Sequence, residues 1–376
     1  FVKADDSVLL ELLPEGGQVV DAPVRLAVMD TYDGVVWSTS VAAGAGGTGG
    51  AGSGEFRPLG GELEVAGAQV RTGVVVRDLS GVWLPTIGET AAFTFDRSDV
   101  REAARYNAAT WSAVLPAGVT AGLRYELEAG LPATPEDAAL AGVPVADVDL
   151  GEVSRVPEIV GVVAREWTAT ATSPIESARM LQQRLAEGGW YSDGLSERSP
   201  AGHGADRMAA FLEADMLLGN GEQYASVMAL MARELGLPAR VVMGWRNSDP
   251  TEQEMVELTG REVDAWVEIA FDGVGWVPFF PTPDRSRTPD TSQTVNEPEE
   301  QPLVAQPRPT QPPPTQVPPP RTEEVPTDQD DEPVLEEGGF RVLLLVVAGG
   351  VLLLLLALTP MAVVLIRKGL RRRRRR

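Results

Sequence analysis

Residues 220–224, Asn-Gly-Glu-Gln-Tyr, open a helical pattern. The unpaired N–H groups and the dipole at such a helix start would lower the pKa of a nucleophile placed there. No thiol can use that position. The 376-residue chain contains no cysteine, which removes disulfides, thiolate metal sites and thiol catalysis together. Other groups could be asked to do chemistry. Glu222 and Asp264 could form a carboxylate pair for acid–base hydrolysis of the glycosidase kind. Glu222, Asp264 and Glu268 could offer an oxygen-only site of the Ca²⁺ type. Ser226 could attack a carbonyl if a base were placed beside it. Each reading is weak, because acidic residues are common throughout the chain and no base is placed near Ser226. The single histidine, His203 in SPAGHGAD, reads as a solvated loop residue.

The elements that would position these residues are legible nearby. Asn220 with Gln223 three residues on is a helix start, and Tyr224, Val227, Met228, Met231 and Leu235 follow as an apolar stripe. Gly236 and Pro238 end that helix. Ser173-Pro174-Ile175-Glu176 is a second capping box, with Ile175, Ala178, Leu181 and Leu185 on one face up to Gly188-Gly189. Three strands are predicted at Ala239–Trp245, Glu262–Phe271 and Gly275–Phe280. Alternation along 262–271 puts Val263, Ala265, Val267 and Ile269 on one face and Asp264, Trp266 and Glu268 on the other. The expected class is α+β, a helix packed on an antiparallel sheet.

Residues 1–150 read as a β-rich domain, with short runs such as VRLAVM and LRYELEA between Gly, Pro and Asp punctuation. The Gly-rich stretch 44–54 lacks the Lys-Ser/Thr and helix that a phosphate loop needs. Residues 151–283 carry the helices and strands above. Residues 284–339 are a Pro/Gln/Glu-rich spacer of the polyproline kind. Residues 340–366 form a transmembrane helix, since the 25 residues from Val342 to Ile366 bear no charge and about 20 suffice to span a bilayer. The tail 367–376, RKGLRRRRRR, marks the cytoplasmic side and leaves residues 1–340 extracytoplasmic. The net charge is −22, and without the eight basic residues of that tail residues 1–366 carry −30. So acidic an exterior argues against a nucleic-acid partner. The start, FVKADDSVLL, has no apolar run behind a basic end, so no signal peptide is read there and the chain reads as a piece of something longer.

GNGEQYASVMALMARELGLPARVVMGW (219–245) followed by VDAWVEIAFDGVGWVPFFPTP (263–283) resembles the transglutaminase-like superfamily, of papain-type fold. The blocks that carry the likeness are Glu222, Tyr224 and Ala225; Pro238-Ala239-Arg240; Ala265-Trp266-Val267-Glu268; and Gly275-Trp276 with Pro281-Thr282-Pro283. DTYDGVVW (30–37) also looks like the β-rich domain that precedes the core in membrane-anchored bacterial members. The resemblance implies a Cys at 221, a His at 264 and an Asp at 280. The chain has Gly221, Asp264 and Phe280, so no catalytic residue, cofactor or metal is expected. A degenerate cleft is expected to keep Glu222, Gln223, Tyr224, Trp266, Glu268 and Trp276, with Asp264 capping or approaching the helix start and Phe280 closing the floor. The implied function is a membrane-anchored pseudoenzyme that binds a peptide, a wall polymer or an envelope protein. An active amide hydrolase or acyltransferase using other residues is the alternative. The resemblance further implies a MoxR-type ATPase system as a setting.

Overall fold

The computed structural model describes residues 6–17, 22–40, 55–60, 63–194, 199–246 and 254–289. The predicted spacer beyond residue 289, the apolar run 342–366 and the basic tail lie outside them. Among the described residues no helix is long and apolar enough to cross a membrane.

The central helix is Gly221–Glu234. It starts where Asn220 Oδ1 accepts the Glu222 N–H at 3.0 Å while Gln223 Oε1 accepts the Asn220 N–H at 3.1 Å. Both orphan donors are thereby satisfied within the motif itself. It ends at Gly236, whose φ of 77° is the left-handed conformation that glycine adopts without strain. The sequence predicts an apolar stripe here, but the helix is buried almost all round: every residue from Gln223 to Ala232 is buried, small Ala225, Ala229 and Ala232 included. The reason is its neighbours. Helices Glu158–Trp167, Pro174–Gly188 and Ala205–Glu213 pack on it from one side and a sheet from the other. A helix apolar on every face belongs at the centre of a domain. Of the capping box predicted at Ser173 one arm forms, Ser173 accepting the Glu176 N–H at 3.3 Å, while the Glu176 carboxylate accepts the Thr172 N–H at 2.7 Å in place of the Ser173 N–H. Ile175, Ala178, Leu181 and Leu185 are buried on one face.

The sheet beneath the helix runs in the order Gly275–Phe279, Val263–Phe271, Ala239–Trp245, Val24–Met29, Thr86–Ile87, antiparallel throughout. Its fourth strand therefore comes from the first 30 residues of the chain. The loan is returned. Val256–Thr259 pairs with Val8–Pro14 at the edge of a second antiparallel sheet, which continues through Ala68–Val76, Arg124–Leu131 and Glu89–Phe95. The division at residue 150 thus separates stretches of sequence and not sheets, and the described residues gather into one compact unit.

Alternation along Val263–Phe271 holds in its middle. Ala265, Val267, Ile269 and Phe271 pack with the helices. Trp266 lies with Val28 and Val242 on the opposite face, and Phe280 packs against that group. Val263 departs from the expected face, since it packs with the N-terminal sheet instead.

Candidate functional site: a filled helix terminus

Gly221 and Asp264 meet. A β-carbon built on Gly221 would fall far inside van der Waals contact distance of Asp264 Oδ1, 2.9 Å from the Ala265 nitrogen and 3.2 Å from Asp264 Cγ. The carboxylate therefore occupies the space that any side chain at 221 would need. It does so without capping the helix, contrary to one form of the expectation. Its hydrogen bond is to the N–H of its own neighbour, Ala265, at 2.9 Å, while Asn220 and Gln223 serve the helix N–H groups. Asp264 approaches the helix start and fills it.

Burial pushes the Asp264 carboxyl above its ordinary range, against the Ala265 N–H and the Arg246 guanidinium. Arg246 is the residue that closes the group. One Nη lies 3.7 Å from Asp264 Oδ2, and the guanidinium sits over the Phe280 ring at 4.1 Å. The Phe280 ring in turn meets Trp266, centroids 6.2 Å apart, and its N–H donates to Gln182 Oε1 at 3.3 Å. So the three positions that the resemblance marks are brought together, linked by an arginine that no motif pointed to. Arg246 directly follows the strand Ala239–Trp245, and Gly244 pairs with Asp264 across the sheet. Asking what neutralises a buried Asp264 would have led to it.

Glu268 lies two residues further along the strand and is fully buried. Burial alone would push its carboxyl up. Arg25 and Arg240 reverse that and hold it below the ordinary glutamate range. Arg25 approaches at 2.6 Å and Arg240 at 2.8 Å. Two guanidiniums share one carboxylate, and the surplus positive charge is covered by ring faces. Arg240 stacks on Trp276 at 3.6 Å and Arg25 on Trp111 at 4.9 Å. Trp111 holds a φ of 55°, a strained conformation for an aromatic residue, in making that lid. Trp266 donates its indole N–H to Glu268 at 3.4 Å. Since Arg25 belongs to the strand Val24–Met29, this cluster also locks the N-terminal strand into the sheet.

At the helix start, Glu222 contacts His203, whose Nδ1 lies 2.8 Å from Glu222 Oε1. The His203 hydrogen bond holds the Glu222 carboxyl below its usual range. The expectation of a solvated histidine is overturned. Its Nε2 accepts the Trp37 N–H at 3.0 Å, which places the proton of the neutral ring on Nδ1, facing Glu222. Both ring nitrogens are committed to protein groups. The loop is pinned further: Tyr32 OH donates to the His203 carbonyl at 2.8 Å, and Gln223 Nε2 to the Gly202 carbonyl at 2.8 Å. The DTYDGVVW stretch is thus a clasp, its turn made by Asp33 accepting the Val35 and Val36 N–H groups.

Of the six side chains that the sequence assigns to a cleft, Gln223, Tyr224, Trp266 and Glu268 are fully buried and satisfied internally. Only Glu222 and Trp276 keep surface. Glu222, Asp264 and Glu268 face three different partners, His203, Arg246 and the Arg25–Arg240 pair, and do not converge on a common point as one oxygen-ligand site would require.

Comparison with known proteins bears on the fold that carries these residues. Residues 162–281 match the family model of the transglutaminase-like superfamily. The periplasmic domain of TgpA from Pseudomonas aeruginosa superposes with a TM-score of 0.52 at 19% identity, covering 73% of this chain and 87% of that one. The same domain bound to ethylmercury gives 0.50 at 20% identity, covering 74% and 90%. At such identity the likeness concerns the fold. The uncharacterized protein YebA of Bacillus subtilis is 33% identical over 70 residues, 17% of this chain and a stretch that spans only 10% of YebA. Residues 162–281 are accordingly a transglutaminase-like domain, and the positions that the resemblance assigns to its Cys, His and Asp are here Gly221, Asp264 and Phe280.

Proposed function

We propose that this chain is a non-catalytic member of its family, a binding or scaffolding module displayed on the extracytoplasmic side of a membrane. One observation carries the reading: the Asp264 carboxylate stands where a nucleophile's side chain would have to be. A site merely missing its thiol would leave a hole. This one has been refilled, and a side chain at 221 would have to displace the Asp264 carboxylate. His203 offers no substitute base, because both its nitrogens are engaged.

The membrane setting rests on the uncharged run 342–366 and the basic residues behind it. The fold likeness to a domain described as periplasmic is in keeping with that side. The partner is a peptide, a wall polymer or an envelope protein, and a MoxR-type ATPase system is a setting by analogy alone.

The alternative, an amide hydrolase or acyltransferase working with other residues, has one feature in its favour, the His203–Glu222 contact next to the old nucleophile position. An assay of hydrolysis and transamidation with glutamine-containing peptides separates the two. The proposed reading expects the purified chain to match buffer. Turnover that disappears in both Glu222→Gln and His203→Ala would establish the alternative.

A further inference from the structure

A cavity of about 400 Å³ lies in the β-rich part, at the seam between its two sheets. That volume falls in the range of small-ligand sites, roughly 300–1,000 Å³. One wall is the edge strand Glu89–Phe95 of the five-stranded sheet. The other comes from the paired strands Arg57–Pro58 and Arg105–Asn107 of a four-stranded sheet. Phe93 and Tyr106 form an edge-to-face pair at 5.5 Å, and Leu59 and Leu63 line the site with them. Leu63 is 43% exposed, unusual for a leucine already at a lined cavity. Ala91, Ala92, Ala108 and Ala109 line it with small side chains. A seam selected for stability alone would be filled.

Two arginines line this hollow beside Glu55, and they differ. Arg57 is paired with Glu55 at 2.6 Å. Arg101, on the helix Ser98–Ala103, has no hydrogen bond or ion pair from its side chain among the described residues. A cation with no partner among the described residues, beside an apolar lining, favours a ligand with a hydrocarbon body and one anionic head, even though the chain around it is acidic overall. We propose that this seam binds a small apolar carboxylate, its body against Phe93 and Tyr106 and its carboxylate on Arg101. The site is separate from Gly221 and Asp264 and requires no chemistry there.

The test uses the full chain and two probes, decanoate and decan-1-ol, titrated calorimetrically below micelle formation. Comparison with variants removes whatever the rest of the chain absorbs. Saturable decanoate binding should weaken about 10-fold or more in Arg101→Ala, as expected for losing a hydrogen bond to a charged group, while decan-1-ol binding stays unchanged. Ala108→Trp, at an exposed position where folding tolerates bulk, should abolish both by filling the hollow. Decanoate that does not saturate, or that binds Arg101→Ala or Ala108→Trp as well as the parent, would overturn the proposal. Equal affinity of the parent for acid and alcohol would overturn the assignment of Arg101.

Discussion

Asp264 and Gly221 share one volume: the aspartate carboxylate takes the place of a side chain at the helix start, and neither residue can change without the other feeling it. The two departures from the family pattern are therefore a single structural event. Restoring one of them alone should do harm.

Gly221→Cys in the otherwise unchanged chain introduces its sole thiol. That thiol would have a carboxylate beside it and no imidazole, which disfavours the thiolate despite the helix dipole. Iodoacetamide should alkylate it more slowly at neutral pH than it does free cysteine. Adding Asp264→His should accelerate the reaction. Faster alkylation of the single variant than of free cysteine would mean that the carboxylate does not control the site.

Asp264→Asn gives a stability test with a fixed sign. The folded-state carboxyl is raised by burial, so a stability cost builds as the pH rises through the ordinary aspartate value and is complete above the folded one. Below the ordinary aspartate value that cost is absent. The variant should therefore melt above the parent at neutral pH and converge with it in acid. Thermal melts across that range check this, and a difference that grows on acidification would reverse the sign.

Much of the above could be read from local pattern, and the part that could not is non-local. Asn220, Gln223, Gly236 and Pro238 mark the central helix by short-range chemistry, and alternation sorts Ala265, Val267 and Ile269 from Trp266 and Glu268. Nothing in VRLAVM says that it will pair with Ala239–Trp245 rather than with its own β-rich neighbours, because pairing partners leave no periodicity in either strand. Arg25 is equally silent: only its position opposite Glu268 reveals why a strand interior tolerates a guanidinium. The clasp between Trp37 and His203 joins residues 166 apart in sequence and rests on a backbone N–H that sequence does not display.

Glu268→Gln tests the buried cluster. Removing one partner of a buried pair costs about 3–5 kcal/mol, since uncompensated charge remains. Here two guanidiniums, Arg25 and Arg240, would be left facing each other. Because its folded carboxyl is held below the usual range, the parent's stability from this group is present above the ordinary glutamate pKa. It is lost as the pH falls through the lower folded value. Urea midpoints should show the gap between parent and variant narrowing in strong acid. A variant as stable as the parent at neutral pH would show that the cluster does not hold the strand Val24–Met29 in place.

The account rests on the shared volume at the helix start, and a double-mutant cycle on Gly221→Ala and Asp264→Ala measures it directly. Forcing a methyl group into the occupied space should cost about 1–3 kcal/mol in the parent. In the Asp264→Ala background most of that cost should vanish, leaving only the crowding against the Ala265 nitrogen at 2.9 Å. The predicted result is a coupling energy of about 1 kcal/mol or more from chemical denaturation. Additive effects within about 0.5 kcal/mol would contradict it, for they would mean that Asp264 does not fill the place of the missing side chain.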